Sequence, residues 1–167
     1  GLIYLAATTP LQTTASIAIV GAVEAPRFVL DETSREDWRA RIRHAPAPWG
    51  ELETSKLIIT LPSHILAALD DPTPVLRTWD RVLDAQADLA QRPRARAYPE
   101  RIVADVQISV GYMHAGYPIM VQDDQYAILA DNDAILEGQW GLLHELGHNH
   151  QEGDWTFEGT GEVRSEE

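Results

Sequence analysis

The chain has 167 residues, 44% of them hydrophobic and 23% charged, which is enough to bury one core and fits a single domain spanning 1–167. Thirteen basic residues against 26 acidic ones give a formal charge of −13, which repels phosphate backbones and anionic surfaces and so argues against nucleic acid as a partner. There is no cysteine, so disulfides and thiolate metal sites are excluded and any metal must be held by His, Asp or Glu.

No apolar run approaches the roughly 20 residues of a membrane span, so no transmembrane segment is expected. The opening GLIYLAATTP lacks the basic region of a secretory signal; for a secreted parent protein, the signal would lie outside this sequence.

In chain order, LIYLA (2–6) and the alternating SIAIVGAV (16–23) predict two strands joined by a TTPLQTT turn. After APRFVL, Thr33 followed three residues later by Glu36 makes a capping-box pattern that opens a short helix, which the Pro-rich HAPAPWGEL ends. KLIITL (56–61) predicts a strand, and Pro62 followed by SHILAAL an immediate short helix. A longer helix follows. Thr73 caps it, Pro74 fits its first position, and Val75, Leu76, Trp79, Val82, Leu83 and Leu89 form its apolar stripe.

RIVADVQISV (101–110), YPIMV (117–121) and YAILA (126–130) predict three further strands, with QDDQ as a turn between the last two. Capped by Asp131 or Asp133, one helix then runs through AILEGQWGLLHELGHNH on a stripe of Ile135, Leu136, Trp140, Leu143 and Leu146, weakened by Gly138, Gly141 and Gly147. Strands and helices mix without strict βαβ alternation, which favours α+β.

The chemistry concentrates in GLLHELGHNHQEGDW (141–155), where His144, Glu145 and His148 form H-E-x-x-H. Helical residues four apart lie about 40° apart around the axis, so both imidazoles can converge on one ion. Glu145 sits beside that face, about 100° from His144 and about 60° from His148, able to reach a water on the metal without occupying the metal. A catalytic zinc takes three protein ligands. Spacing leaves the third open among Glu152, Asp154, Glu158, Glu162, Glu166 and Glu167.

The bland reading of HELGH, a surface helix end with incidental histidines, leaves its specific spacing unexplained. An HNH nuclease reading of His148 to His150 fails because residues two apart on a helix point about 200° apart and the chain is acidic. His150 is instead expected to support a ligand. Trp79 and Trp140 lie on apolar helix faces and are expected to pack in the core.

In HELGHNHQEGDWTFEGTGEV the chain resembles the enhancin-like, mucin-targeting zinc metallopeptidases, peptidase family M sixty. GLIYL, VEAPRFVL, APWGELETSKLIITLPS, LRTWDRVLD and DVQISVGYMHAGYPIM follow the family's domain in order, so nearly the whole chain is covered. The resemblance implies a zincin-like α+β domain, with a twisted mixed sheet packed on helices around the H-E-x-x-H helix. It implies one Zn2+ held by His144, His148 and Glu162, with Glu145 as general base. It implies hydrolysis of peptide bonds in O-glycosylated proteins such as mucins, by a secreted or cell-surface protein.

GYMHAGYPIM precedes the zinc helix as the substrate-binding edge strand does in related zinc peptidases. Tyr112, His114 and Tyr117 are therefore candidates for substrate binding and oxyanion stabilisation, and Trp155, between the ligands, for bordering the cleft. The plain alternative for this segment is a strand with a Gly turn and core aromatics. Members of the family continue past Glu-Val through an Asn-containing helix, whereas this sequence ends GEVRSEE. The expectation is a domain lacking its C-terminal helical portion. Two alternatives to a working enzyme stand beside it: a glycoprotein-binding module with a structural zinc, and an inactive piece of a larger enzyme.

Overall fold

The computed structural model describes residues 1–5, 14, 16–152, 156, 158, 159 and 162. Six strands make one mixed sheet: β1 (Arg27–Val29), β2 (Trp49–Glu53), β3 (Leu57–Pro62), β4 (Glu100–Ala104), β5 (Met113–His114) and β6 (Ile119–Val121), in the order β1-β2-β3-β4-β6-β5. The β2·β3 and β5·β6 pairs are antiparallel and the others parallel.

Register places Phe28, Leu52, Ile59, Ile102 and Ile119 side by side across five strands, and all are buried. Full burial of such a side chain contributes roughly 1.5–3 kcal/mol, so this row anchors the core. Because side chains alternate faces along a strand, the neighbouring row of Arg27, Glu51, Thr60, Val103, Met120 and His114 turns to the other face.

Six α-helices accompany the sheet among the described residues: α1 (Arg35–Ala40), α2 (Ser63–Ala68), α3 (Thr73–Leu89), α4 (Tyr126–Leu129), α5 (Asn132–Leu136) and α6 (Trp140–His148). Two buried tryptophans join them to the core. Trp38 of α1 meets Phe28 edge to face at 5.4 Å and donates to Leu69 O at 2.8 Å. Trp79 of α3 donates to Leu129 O at 3.2 Å.

The expected helices over 35–40, 63–68 and 73–89 are present, and the strands expected over 56–61, 101–110 and 117–121 appear as Leu57–Pro62, Glu100–Ala104 and Ile119–Val121, so that residues 105–110 form no strand; several details differ. Pro72, not Thr73, stands at the N-cap of α3. Ser34, not Thr33, caps α1, accepting from Asp37 N–H, while Thr33 Oγ1 accepts from Val29 N–H. On α3, Leu89 is exposed and Ala87 takes its place in the core. Residues 2–5 and 16–23 form no strand. Instead Tyr4 reaches the sheet by a hydrogen bond to Glu51, and Ile17, Ile19, Val20 and Val23 are exposed. Ala6 and all of the TTPLQTT turn but Thr14 lie outside the described residues.

YAILA is a helix and not a strand: a 3-10 turn, Asp123–Gln125, leads directly into α4. Both sides of β6 are already taken by β4 and β5, so no edge beside it remains for another strand. The long C-terminal helix breaks into α5 and α6 around Gly138, whose φ of 89° suits glycine and interrupts a right-handed helix. The break rephases the apolar stripe. Leu142 joins Leu146 in the core, and Leu136 and Trp140 face outward. Trp140, expected in the core, is 64% exposed.

Candidate metal centre

The α6 sequence WGLLHELGH buries Leu142 and Leu146, one turn apart, against the core. Two contacts fix its outer surface. Gln86 Nε2 of α3 donates to Leu143 O at 3.2 Å, and Met113 of β5 packs so close to Gly141 that a Cβ there would lie 3.0 Å from its sulfur. The helix therefore lies against the edge strand, and small size at residue 141 permits the approach.

His144 and His148 sit four residues apart on this helix, with their Nε2 atoms 3.0 Å apart. Glu162 Oε2 lies 3.1 Å from the first nitrogen and 3.3 Å from the second. Among the described residues these three form the group able to hold a metal ion. His144 is buried and Glu162 is 81% exposed, so the carboxylate closes the group from the solvent side. Glu152, another acidic residue after the motif, pairs with Arg92.

The geometry suits a small cation. Ligand atoms about 2.0–2.2 Å from a tetrahedral ion stand roughly 3.3–3.6 Å apart, slightly wider than the separations found here. Nitrogen and oxygen donors without thiolate match zinc and related divalent ions.

Neighbouring groups hold the donors in place. His148 Nδ1 lies 3.1 Å from Gln151 Oε1. The Trp140 ring stacks on His144, with centroids 4.8 Å apart and planes inclined by 29°. Glu145 is buried on the same helix, and no hydrogen bond or ion pair engages it among the described residues.

Asn149 and His150 turn elsewhere. Asn149 holds Gly116 and Glu100. His150 Nε2 faces Arg96 Nη2 at 3.4 Å, and burial, followed by the Arg96 charge, lowers its pKa below the usual histidine value. Its ring therefore engages Arg96, ahead of β4, and not His144 or His148. Neither Asn149 nor Gln151 belongs to the H-E-x-x-H pattern, so the motif alone gives them no role. For Gln151 a signal existed, since it lies three residues after His148, within reach of a local turn.

The other candidates have their own local partners. Tyr112 OH donates to Asp124 Oδ1 at 2.6 Å and accepts from Gln125 Nε2 at 2.8 Å. His114 Nδ1 meets Ala115 O at 2.9 Å. Tyr117 meets Tyr98 edge to face at 5.4 Å. Within GYMHAGYPIM, Met113–His114 form β5, one of the two edge strands of the sheet among the described residues, and it lies beside α6. Trp155 lies outside the described residues.

The fold is shared with solved proteins. A functionally unknown conserved protein from Bacillus anthracis superposes with a TM-score of 0.73 at 23% identity, over 84% of this chain and 31% of that one. The catalytic domain of Clostridium perfringens ZmpC, solved with the sialyl T antigen, superposes with a TM-score of 0.62 at 16% identity, over 84% of this chain and 31% of that domain. Among curated relatives, the bovine (Bos taurus) "TRPM8 channel-associated factor 2" is 52% identical over 143 residues, which are 85% of this chain and 16% of that protein. The chain thus spans about a sixth of that relative's length. The family model described as "Peptidase M60, enhancin and enhancin-like" matches residues 21–165. A metallopeptidase family of this kind implies a bound metal, and the nitrogen and carboxylate donors of α6 and Glu162 provide a place for one. This chain is a member of the enhancin and enhancin-like peptidase family.

Proposed function

We propose that this chain is the metal-binding catalytic portion of a zinc endopeptidase that cleaves O-glycosylated proteins such as mucins, at the cell surface or outside the cell. One observation carries the reading: His144, His148 and Glu162 converge within 3.0–3.3 Å while Glu145 stays buried beside them on the same helix. Holding an ion needs only the three donors. A carboxylate kept next to them, with no hydrogen bond or ion pair among the described residues, is what proton transfer requires.

Zinc held there supplies Lewis acidity, polarising a carbonyl and lowering the pKa of water toward about 7. Glu145 takes a proton from the attacking water and passes it to the leaving amine. β5, an edge strand among the described residues and the one beside α6, is where an extended peptide would add to the sheet, as strand addition at a sheet edge requires. The glycan preference follows the neighbouring solved structures, one of which holds the sialyl T antigen.

A second reading has its own support. The similar curated proteins are named for association with the TRPM8 channel, and a channel-binding module with a structural metal would also keep the three donors. The zinc-loaded chain incubated with mucin, beside Glu145→Ala, separates the two. Proteolytic fragments from the first and none from the second are expected. An intact protein that binds zinc and leaves mucin uncut would defeat the peptidase reading for this chain and leave the binding module.

A further inference from the structure

We infer that Gln151 is a positioning residue for His148: its side-chain carbonyl selects the imidazole tautomer that turns a bare Nε2 toward His144 and Glu162. This rests on the metal-site reading above and adds to it a residue outside the three donors.

The argument begins with hydrogen-bond chemistry. Gln151 Oε1 lies 3.1 Å from His148 Nδ1, and an amide oxygen only accepts, so Nδ1 carries the hydrogen. A neutral imidazole has one N–H, so Nε2 is left as a lone pair. That lone pair sits 3.0 Å from His144 Nε2 and 3.3 Å from Glu162 Oε2. The opposite tautomer would put a proton where the ion belongs and set two acceptors, Nδ1 and Oε1, face to face, whereas the bare Nε2 beside the Glu162 carboxylate is the arrangement that a cation between them would satisfy.

The backbone builds this contact locally. After His148 the chain tightens into i→i+3 bonds, with His150 N–H donating to Gly147 O at 2.9 Å and Gln151 N–H to His148 O at 3.1 Å. Residue 151 is thereby folded back beside the ring of residue 148, so its main chain and side chain grip the same histidine. The turn is itself held from outside: Asn149 binds Gly116 and Glu100, and His150 rests on Arg96. Groups of this kind tune metal affinity by about 10–100-fold.

Two measurements on the whole chain test it. In the metal-free 15N-labelled protein, long-range 1H–15N correlations should show His148 as the Nδ1–H tautomer, with Gln151→Leu losing that preference. Zinc affinity, by competition with a chromophoric chelator, should fall about 10–100-fold in Gln151→Leu and be restored by Gln151→Glu, which keeps an acceptor. Should Gln151→Leu misfold by circular dichroism, Gln151→Ala takes its place. Unchanged tautomer and affinity, or a Gln151→Glu protein as weak as Gln151→Leu, would overturn the inference while zinc binding by the unmodified chain stands. No zinc binding by the unmodified chain would instead overturn the metal site itself.

Discussion

Asn149 grips the backbone of Gly116 at both ends: Oδ1 accepts from its N–H at 3.0 Å and Nδ2 donates to its C=O at 3.2 Å. The residue directly after His148 thus ties the end of α6 to the loop between β5 and β6, and it also reaches Glu100 Oε2 at 2.9 Å. Asn149→Ala removes all three bonds. Amide hydrogen exchange at Gly116 should quicken and unfolding free energy fall by about 1–2 kcal/mol, the net worth of a few partly solvated hydrogen bonds. Exchange at Gly116 as slow as in the unmodified chain would show that the grip carries no weight.

Such contacts explain what the sequence could and could not disclose. HELGH is legible because helix geometry alone brings residues 144 and 148 together. Glu162 had to come from a family resemblance, since spacing offered six acidic residues. The strand β2 is hidden in WGELE, which follows a Pro-rich stretch; its pairing with β1 and β3 makes it a strand. SIAIVGAV shows the opposite failure, an alternating pattern with no sheet pairing. Tertiary context decides such short segments over pattern. Trp140 faces outward, against its apolar pattern, because one glycine, Gly138, shifts the phase of everything after it.

Gly50 in β2 shows how tightly the sheet's first pair is closed. A Cβ on it would meet Pro26 O and lie 2.6 Å from Leu66 Cδ1. Backbone cannot yield as a flexible side chain can. Gly50→Ala should therefore destabilise the fold by about 1–3 kcal/mol or more, as overpacked sites do, read as a lower denaturation midpoint in urea. A midpoint unchanged from the unmodified protein would show that β1 and β2 separate without cost.

Arg101 and Glu51 form a largely buried pair on the sheet face opposite the apolar row, with Nη1 and Oε1 2.5 Å apart and side-chain exposures of 16% and 9%. Arg101 Nη1 also donates to Thr60 Oγ1 at 3.2 Å. Removing the cation alone strands a buried carboxylate, so Arg101→Met should cost about 3–5 kcal/mol. Replacing both residues with Met should recover most of that loss. A double variant no more stable than the single one would contradict this account.

Tyr4 lies on the same pair, its OH donating to Glu51 Oε1 at 2.6 Å. Burial first, then the Glu51 carboxylate, raises its phenol above the ordinary 10.0. A raised folded-state pKa means stability fully present below pH 10 and lost as the pH climbs from there through the folded value, because the unfolded phenol ionises first. Tyr4→Phe should be less stable at neutral pH and should lose less between pH 9 and 11 than the unmodified chain. Parallel alkaline limbs in the two proteins would show that Tyr4 is not coupled to folding.

Trp140 would give the candidate metal site its own optical reporter. Its ring stacks on His144 at 4.8 Å while most of its surface faces solvent, so its removal should cost little stability, as exposed substitutions do. The same stacking makes its emission respond to an ion bound at the imidazole beside it. Zinc added to the metal-free chain should change tryptophan fluorescence, and Trp140→Phe should abolish the change while zinc still binds in a chelator competition. Four other tryptophans remain in the chain at positions 38, 49, 79 and 155, so the variant isolates one ring. A signal that persists in Trp140→Phe would locate the reporter elsewhere and detach Trp140 from His144.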